Sequence, residues 1–373
     1  MAENNVQTKR ETNFELLRIV AMIMIVSLHY WGKSGYLDRV TVSSPGFYVA
    51  WFSESCCICA VNCFVLLTGY FMSEKRFKPS RVIRIWLEVL EYSVILYLVS
   101  IVTGLGSFSI SDFIKCFFPL TNETYWFATK YLLLLILSPF LNIFIDKCDK
   151  TRMGILCICL FVLFSLMPSV FYMRDYLNIS GGYSLLWFMC LYVFGATIRR
   201  FGLPFFKSKG GCLVGFLLSA FLIFAARTVF GFLNYYNGKE IAYAKVLYNY
   251  NFVLTFISAL FLFGFFMNLS VKSGIVKRIV LFLSPAVFGV YLLHLNTYST
   301  KWFWRGLLCP DKISHPALLL AHHLAVVIGV YLLCTMVEKI RLLLLEDNPL
   351  MRILFEKADR GFDKMKGYFL FHG

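Results

Sequence analysis

The chain has 373 residues, 59% of them hydrophobic and only 15% charged, and its mean hydropathy is +0.70. A soluble domain carries about 25% charged and about 45–50% apolar residues, so this composition excludes an ordinary soluble enzyme. The net charge of +15 does not point to nucleic acid, because the basic residues recur in alternate connectors and form no single basic domain.

Apolar blocks of about 20 residues, the length that crosses a bilayer as a helix, recur along the whole chain. They predict ten helices over 13–33, 47–72, 82–105, 125–145, 154–173, 183–201, 211–233, 247–268, 279–299 and 316–338. The expected fold is all-α, a polytopic transmembrane helix bundle. Residues 1–12 form an N-terminal segment, 13–338 the bundle, and 339–373 a basic amphipathic tail suited to lying along a membrane surface. The first block lacks a small-residue cleavage site and is expected to remain as a helix. With the N-terminus inside, most of the 36 lysines and arginines fall on one side. That asymmetry predicts a multi-pass protein of the cell membrane with both termini cytoplasmic.

The first helix reads NFELLRIVAMIMIVSLHYWG over 13–32. Thr12-x-x-Glu15 has the form of a capping box, which predicts a start at Asn13. Arg18 and His29 lie eleven positions apart, three turns plus about 20°, so they share a face about 16 Å apart along the axis. Alone, Arg18 reads as an interfacial residue paired with Glu15, and His29 as part of an aromatic belt with Tyr30 and Trp31. Together on one face they read as a site, since ionisable groups inside a bilayer usually face a bundle interior. An arginine suits a phosphate, and a histidine can take a proton from a hydroxyl near neutral pH. A ligand with phosphates at one end and a reactive group on a long arm, such as an acyl-coenzyme A, fits the pair, though spacing alone does not name it.

Further along, Glu54 near the outer end of the second helix is placed to orient or charge-balance His29, or to be exposed at the interface. Trp126 and Tyr131 at the fourth helix read as interfacial aromatics or as the lining of an acceptor entrance. Glu88 and Glu91, one turn apart, suit a proton relay or the neutralisation of nearby arginines. Arg227, deep in the seventh block, needs a partner or a water-filled pocket. His294, late in the ninth helix, is either a second histidine reaching the chamber of His29 or a satisfied structural histidine. Cys56-x-x-Cys59 has no partner pair, and His315, His322 and His323 have no carboxylate close in sequence, so no metal is expected.

Arg-x10-His in the first of about ten helices resembles the signature of the membrane-bound acyltransferase-3 family. NCFVLLTGYFMSEKRFKPSRVIRIW (62–86), YWFATKYLLLLILSP (125–139) and SPAVFGVYLLHLN (284–296) are similar, in the same order, to that family's other conserved stretches. The resemblance implies an integral membrane acyltransferase that moves an acyl group, acetyl being the expected one, from acyl-coenzyme A to a hydroxyl of a bacterial cell-surface glycan or its lipid-linked precursor. It implies His29 as the base that activates the acceptor hydroxyl or otherwise mediates acyl transfer, and Arg18 at the coenzyme end. Arg81 and Arg84 are either on the same phosphates or, like Lys75, Arg76 and Lys78 beside them, anchors on the cytoplasmic side. The competing reading of the composition is a transporter or flippase for a lipid-linked sugar, whose path the ionisable residues would line.

Overall fold

The structure is a computed structural model that describes residues 11–121, 125–171, 179–202, 208–304, 308–346 and 348–371. Of the N-terminal segment 1–12 only Glu11 and Thr12 fall within it, and the last two residues of the tail lie outside it. The described residues are built from helices: α1 (Thr12–Lys33), α2 (Pro45–Met72), α3 (Pro79–Val102), α4 (Trp126–Asp146), α5 (Lys150–Phe171), α6 (Leu185–Phe201), α7 (Lys209–Asn237), α8 (Val253–Met267), α9 (Gly274–Leu295), α10 (Pro316–Glu346) and α11 (Pro349–Phe371). Eight of these are long and apolar enough to cross a membrane, and the shorter α6 and α8 pack among them. The chain is a polytopic all-α bundle.

Helix α1 runs through the middle of the bundle, packed against α2, α8, α9 and α10. Leu17, Ala21, Val26 and Tyr30, which point in different directions around it, are fully buried. A helix that is apolar all round belongs inside a bundle. Its start differs from the capping box expected from the sequence. Helix α1 begins at Thr12 with Glu11 in the cap position and no side-chain cap. Glu15 does not reach back, because its Oε1 takes Arg18 Nη1 at 2.5 Å.

Helices α2 and α6 cross almost backbone to backbone. A Cβ on Gly69 would lie 2.1 Å from the Tyr192 carbonyl oxygen, and one on Gly195 would lie 2.3 Å from that of Leu66. Small residues at such crossings are how helices associate where no hydrophobic effect separates them from lipid. At the rim the apolar side chains stay outside: Phe140 is 68% exposed and Ile158 64%. A surface of this kind suits hydrocarbon, whereas in water it would be an aggregation liability.

Several helices depart from the boundaries read in the sequence: α8 starts at Val253 and not at 247, α7 runs on to Asn237, and α9 and α10 differ as follows. Helix α9 turns through a 3-10 segment at Ser284–Ala286, where Pro285 interrupts the hydrogen-bond ladder. It then stops at Leu295, because Asn296 is extended and caps the short helix Thr297–Trp302. Helix α10 runs past 338 into a π-helical turn at Leu342–Glu346. Helix α11 then folds back on the start of α3, where Asp359 accepts from the Ser80 N–H at 3.0 Å and Ser80 Oγ at 2.8 Å. Asp363 pairs with Arg76 at 2.7 Å.

Candidate active site

Arg18 and His29 do share one face of α1, and that face borders a cavity of about 460 Å³. Met22, Ile25 and Leu28 form its floor between them. Across it stand Val61, Phe64 and Thr68 of α2, Phe127 and Tyr131 of α4, and Phe288 and Tyr291 of α9. Its charged lining is basic on balance, with Arg18, Lys75 and Arg81 against Glu15, which pairs with Arg18, and Glu88. A second cavity of about 630 Å³ lies on the other side of His29, lined by Glu54, Trp126, Tyr183, Tyr248, Tyr250 and the Asn296–Thr300 turn through Thr297 and Thr300. Leu28, His29, Trp126 and Tyr250 line both cavities. His29 therefore stands where a basic chamber meets an aromatic one.

The histidine is held by another. His29 Nδ1 lies 2.7 Å from His294 Nε2, and His294 Nδ1 lies 2.5 Å from the Val290 carbonyl oxygen. A carbonyl only accepts, so His294 carries its proton on Nδ1 and offers the Nε2 lone pair. His29 must then donate from Nδ1, which leaves its own Nε2 with a free lone pair, the state a general base requires. The geometry of α9 makes this possible. His294 is fully buried in the last turn before the break at Asn296, and Trp304 Nε1 holds its carbonyl at 3.2 Å. Asn296 Nδ2 in turn donates to Tyr125 Oη at 2.8 Å, fixing the end of the helix.

Glu54 lines the aromatic chamber with His29 but makes no hydrogen bond to it among the described residues, and its buried Oε2 has no partner. The orienting contact on His29 comes from His294 instead. Trp126 stacks near-parallel on Tyr250 with centroids 5.7 Å apart and borders both chambers. Tyr131, five residues or about 7.5 Å further along α4, lines only the basic chamber, where its ring stacks on Phe127. Both aromatics therefore line the basic chamber, and Trp126 also borders the aromatic one.

The basic end also differs from expectation. Arg81 faces the chamber, but Arg84 does not line it. Three residues on, it points about 60° away around α3, where it pairs with Glu346 and stacks on Phe355 of α11 at 4.6 Å. The cation that joins Arg18 and Arg81 is Lys75, read in the sequence only as a membrane-side anchor. Five basic residues, Lys75 and Arg84 included, stand from 75 to 84, and hydropathy carries no information on which of them turn inward. Tyr250 was likewise unmarked in the sequence. Glu88 and Glu91 surround Arg341 of α10, with Glu91 Oε2 at 2.7 Å and Glu88 Oε2 at 3.6 Å. Glu338 completes a bidentate contact at 2.8 Å. Among the described residues no group of three potential metal ligands forms.

The fold and site define a multi-pass helical membrane protein organised around a hydrogen-bonded histidine pair between two chambers. A family model described as an acyltransferase domain, that of the acyltransferase-3 family, matches residues 11–338. The chain belongs to this family, in agreement with the order of motifs in its sequence, and is a membrane acyltransferase. No curated relative and no solved structure matches it.

Proposed function

We propose that the protein transfers an acyl group, acetyl in the first instance, from acyl-coenzyme A to a hydroxyl of a bacterial cell-surface glycan or its lipid-linked precursor. The observation that carries this reading is the free Nε2 of His29 at the junction of the two chambers. Arg18, Lys75 and Arg81 offer positive charge to the coenzyme phosphates. Met22, Ile25 and Leu28 offer an apolar track over the ~16 Å to His29, suited to the uncharged arm that ends in the thioester. The aromatic chamber suits the acceptor, since sugar rings pack well on flat apolar faces.

In the reaction, His29 Nε2 takes the proton of the acceptor hydroxyl as its oxygen bonds to the thioester carbonyl carbon. The carbon–sulfur bond breaks, the electron pair leaves on sulfur, and the proton passes from His29 to the departing thiolate. The hydrogen bond to His294 holds the imidazole in the required tautomer and stabilises the transient imidazolium. The basic chamber would face the cytoplasm, where acyl-coenzyme A is made, with both chain termini on that side. The concentration of lysine and arginine at that end supports this orientation in a cell membrane.

His29→Ala should abolish transfer of label from acetyl-coenzyme A to envelope glycan while the protein still inserts and purifies as a monodisperse species. Retained transfer would remove His29 from the mechanism. Sugar movement across liposomes without any acyl donor would favour a flippase instead.

A further inference from the structure

A third cavity, of about 730 Å³, opens beside the aromatic chamber between α7 and the start of α2. That volume lies within the ~300–1,000 Å³ usual for small-molecule sites. Arg227 of α7 forms part of its wall. Its guanidinium turns inward onto the Trp51 ring, 4.1 Å from the centroid, and also faces Phe47 at 5.5 Å. The position is ten residues, or about 15 Å, before the end of α7, and the inward turn rules out an arginine reaching for the membrane surface. Arg227 Nη1 is buried and has no hydrogen-bond partner among the described residues. Trp51, which is 9% exposed, presents a second buried donor with no acceptor, its indole Nε1.

Two orphaned donors on one cavity wall, one of them positively charged, call for an acceptor that carries negative charge. A water would satisfy the hydrogen bonds but not the charge. The other charged residues lining the same cavity are Asp38, Lys239, Glu240 and Lys245, with Glu240 engaged with Lys245 at 3.1 Å, so with Arg227 the cations outnumber the carboxylates. The cavity also adjoins the candidate active site. Tyr248 lines both it and the aromatic chamber, with its ring 4.8 Å from that of Trp51 and its hydroxyl 2.8 Å from Ser55 Oγ.

We propose that this cavity binds the anionic substituent, phosphate or carboxylate, of the acceptor sugar, with Arg227 and the Trp51 indole as its donors. The acceptor then lies across Tyr248 and reaches His29 with its hydroxyl. The anion-binding site follows from the orphaned donors; its assignment to the acceptor rests on the function proposed above. The chemistry selects acidic or phosphorylated glycan units over neutral ones.

The test is equilibrium binding to the purified full chain in detergent, with no acyl donor present. The probes are glucose 1-phosphate, glucuronate, glucose and inorganic phosphate. Both anionic sugars should bind about tenfold more tightly than glucose. Arg227→Gln should erase that preference without changing glucose binding, and Arg227→Lys should restore part of it. Equal binding of the three sugars by the native chain would overturn the proposal whatever the variants do. So would an undiminished preference in Arg227→Gln. Displacement of the sugars by phosphatidylglycerol vesicles, with inorganic phosphate binding as tightly as the sugar phosphate, would identify a lipid headgroup site and also overturn it. An anion preference without any acyl transfer would refute the enzymatic reading and leave the anion site standing; transfer without the preference would do the reverse.

Discussion

Replacing His294 separates the positioning of the base from its chemistry. His294→Asn places its amide N–H where His294 Nδ1 stands, so it can still donate to the Val290 carbonyl, now 2.5 Å from that nitrogen. It removes the acceptor 2.7 Å from His29 Nδ1. His29 is then left with a buried donor unpaired or with its proton on Nε2, the nitrogen that must stay basic. An unmade buried hydrogen bond costs about 1–3 kcal/mol, which corresponds to roughly 5- to 150-fold in rate at about 1.36 kcal/mol per decade. His294→Gln carries a side-chain oxygen out to the position of His294 Nε2 and should recover much of that loss. The assay is transfer from labelled acetyl-coenzyme A to isolated envelope glycan, resolved into kcat and KM. The loss should fall on kcat, with KM for the donor unchanged, since Arg18, Lys75 and Arg81 stand at the opposite end of the chamber. Full activity in His294→Asn would refute the tautomer argument. Equal losses in the Asn and Gln variants, both of native thermal stability, would refute it as well.

The remaining expectations concern the basic chamber and the packing around it. Lys75→Gln and Arg81→Gln should each raise KM for acyl-coenzyme A by about tenfold with little change in kcat, the low end expected for a partly screened charged contact. Arg84→Gln should leave KM unchanged and instead expose α11 to limited proteolysis, because its partners are Glu346 and Phe355. Gly69→Ala should lower the thermal midpoint in detergent, with a loss of about 1–3 kcal/mol, because the added methyl meets the Tyr192 backbone, which cannot move aside as a side chain could. An unchanged midpoint would mean that α2 and α6 separate more readily than their close approach implies.

Much of the architecture is written locally in the chain. Each of the ten apolar blocks contains a helix, and eight of those helices are long and apolar enough to cross a membrane. The hydrocarbon thickness and the 1.5 Å rise fix how many residues a span needs, and both quantities are readable one segment at a time. The shared face of Arg18 and His29 follows from helical periodicity alone, and the order of the motifs was enough to recognise the family. Boundaries failed where a local signal met a stronger tertiary partner. The capping box at Thr12 is absent because Arg18 holds Glu15, and α9 ends early because Asn296 turns to bond Tyr125.

The site itself was settled by contacts between distant parts of the chain. His294 meets His29 across 265 positions, and no periodicity within either helix encodes the rotation that brings the two rings together. Lys75 joins Arg18 and Arg81 while Arg84 turns to α11, although all four are basic residues at one end of the bundle. Glu88 and Glu91 find Arg341, and Arg227 finds the face of Trp51. Sequence fixes which residues can carry charge and which helix face they occupy. Only packing decides what that face meets, because a buried charge takes its role from the partner within about 3 Å of it.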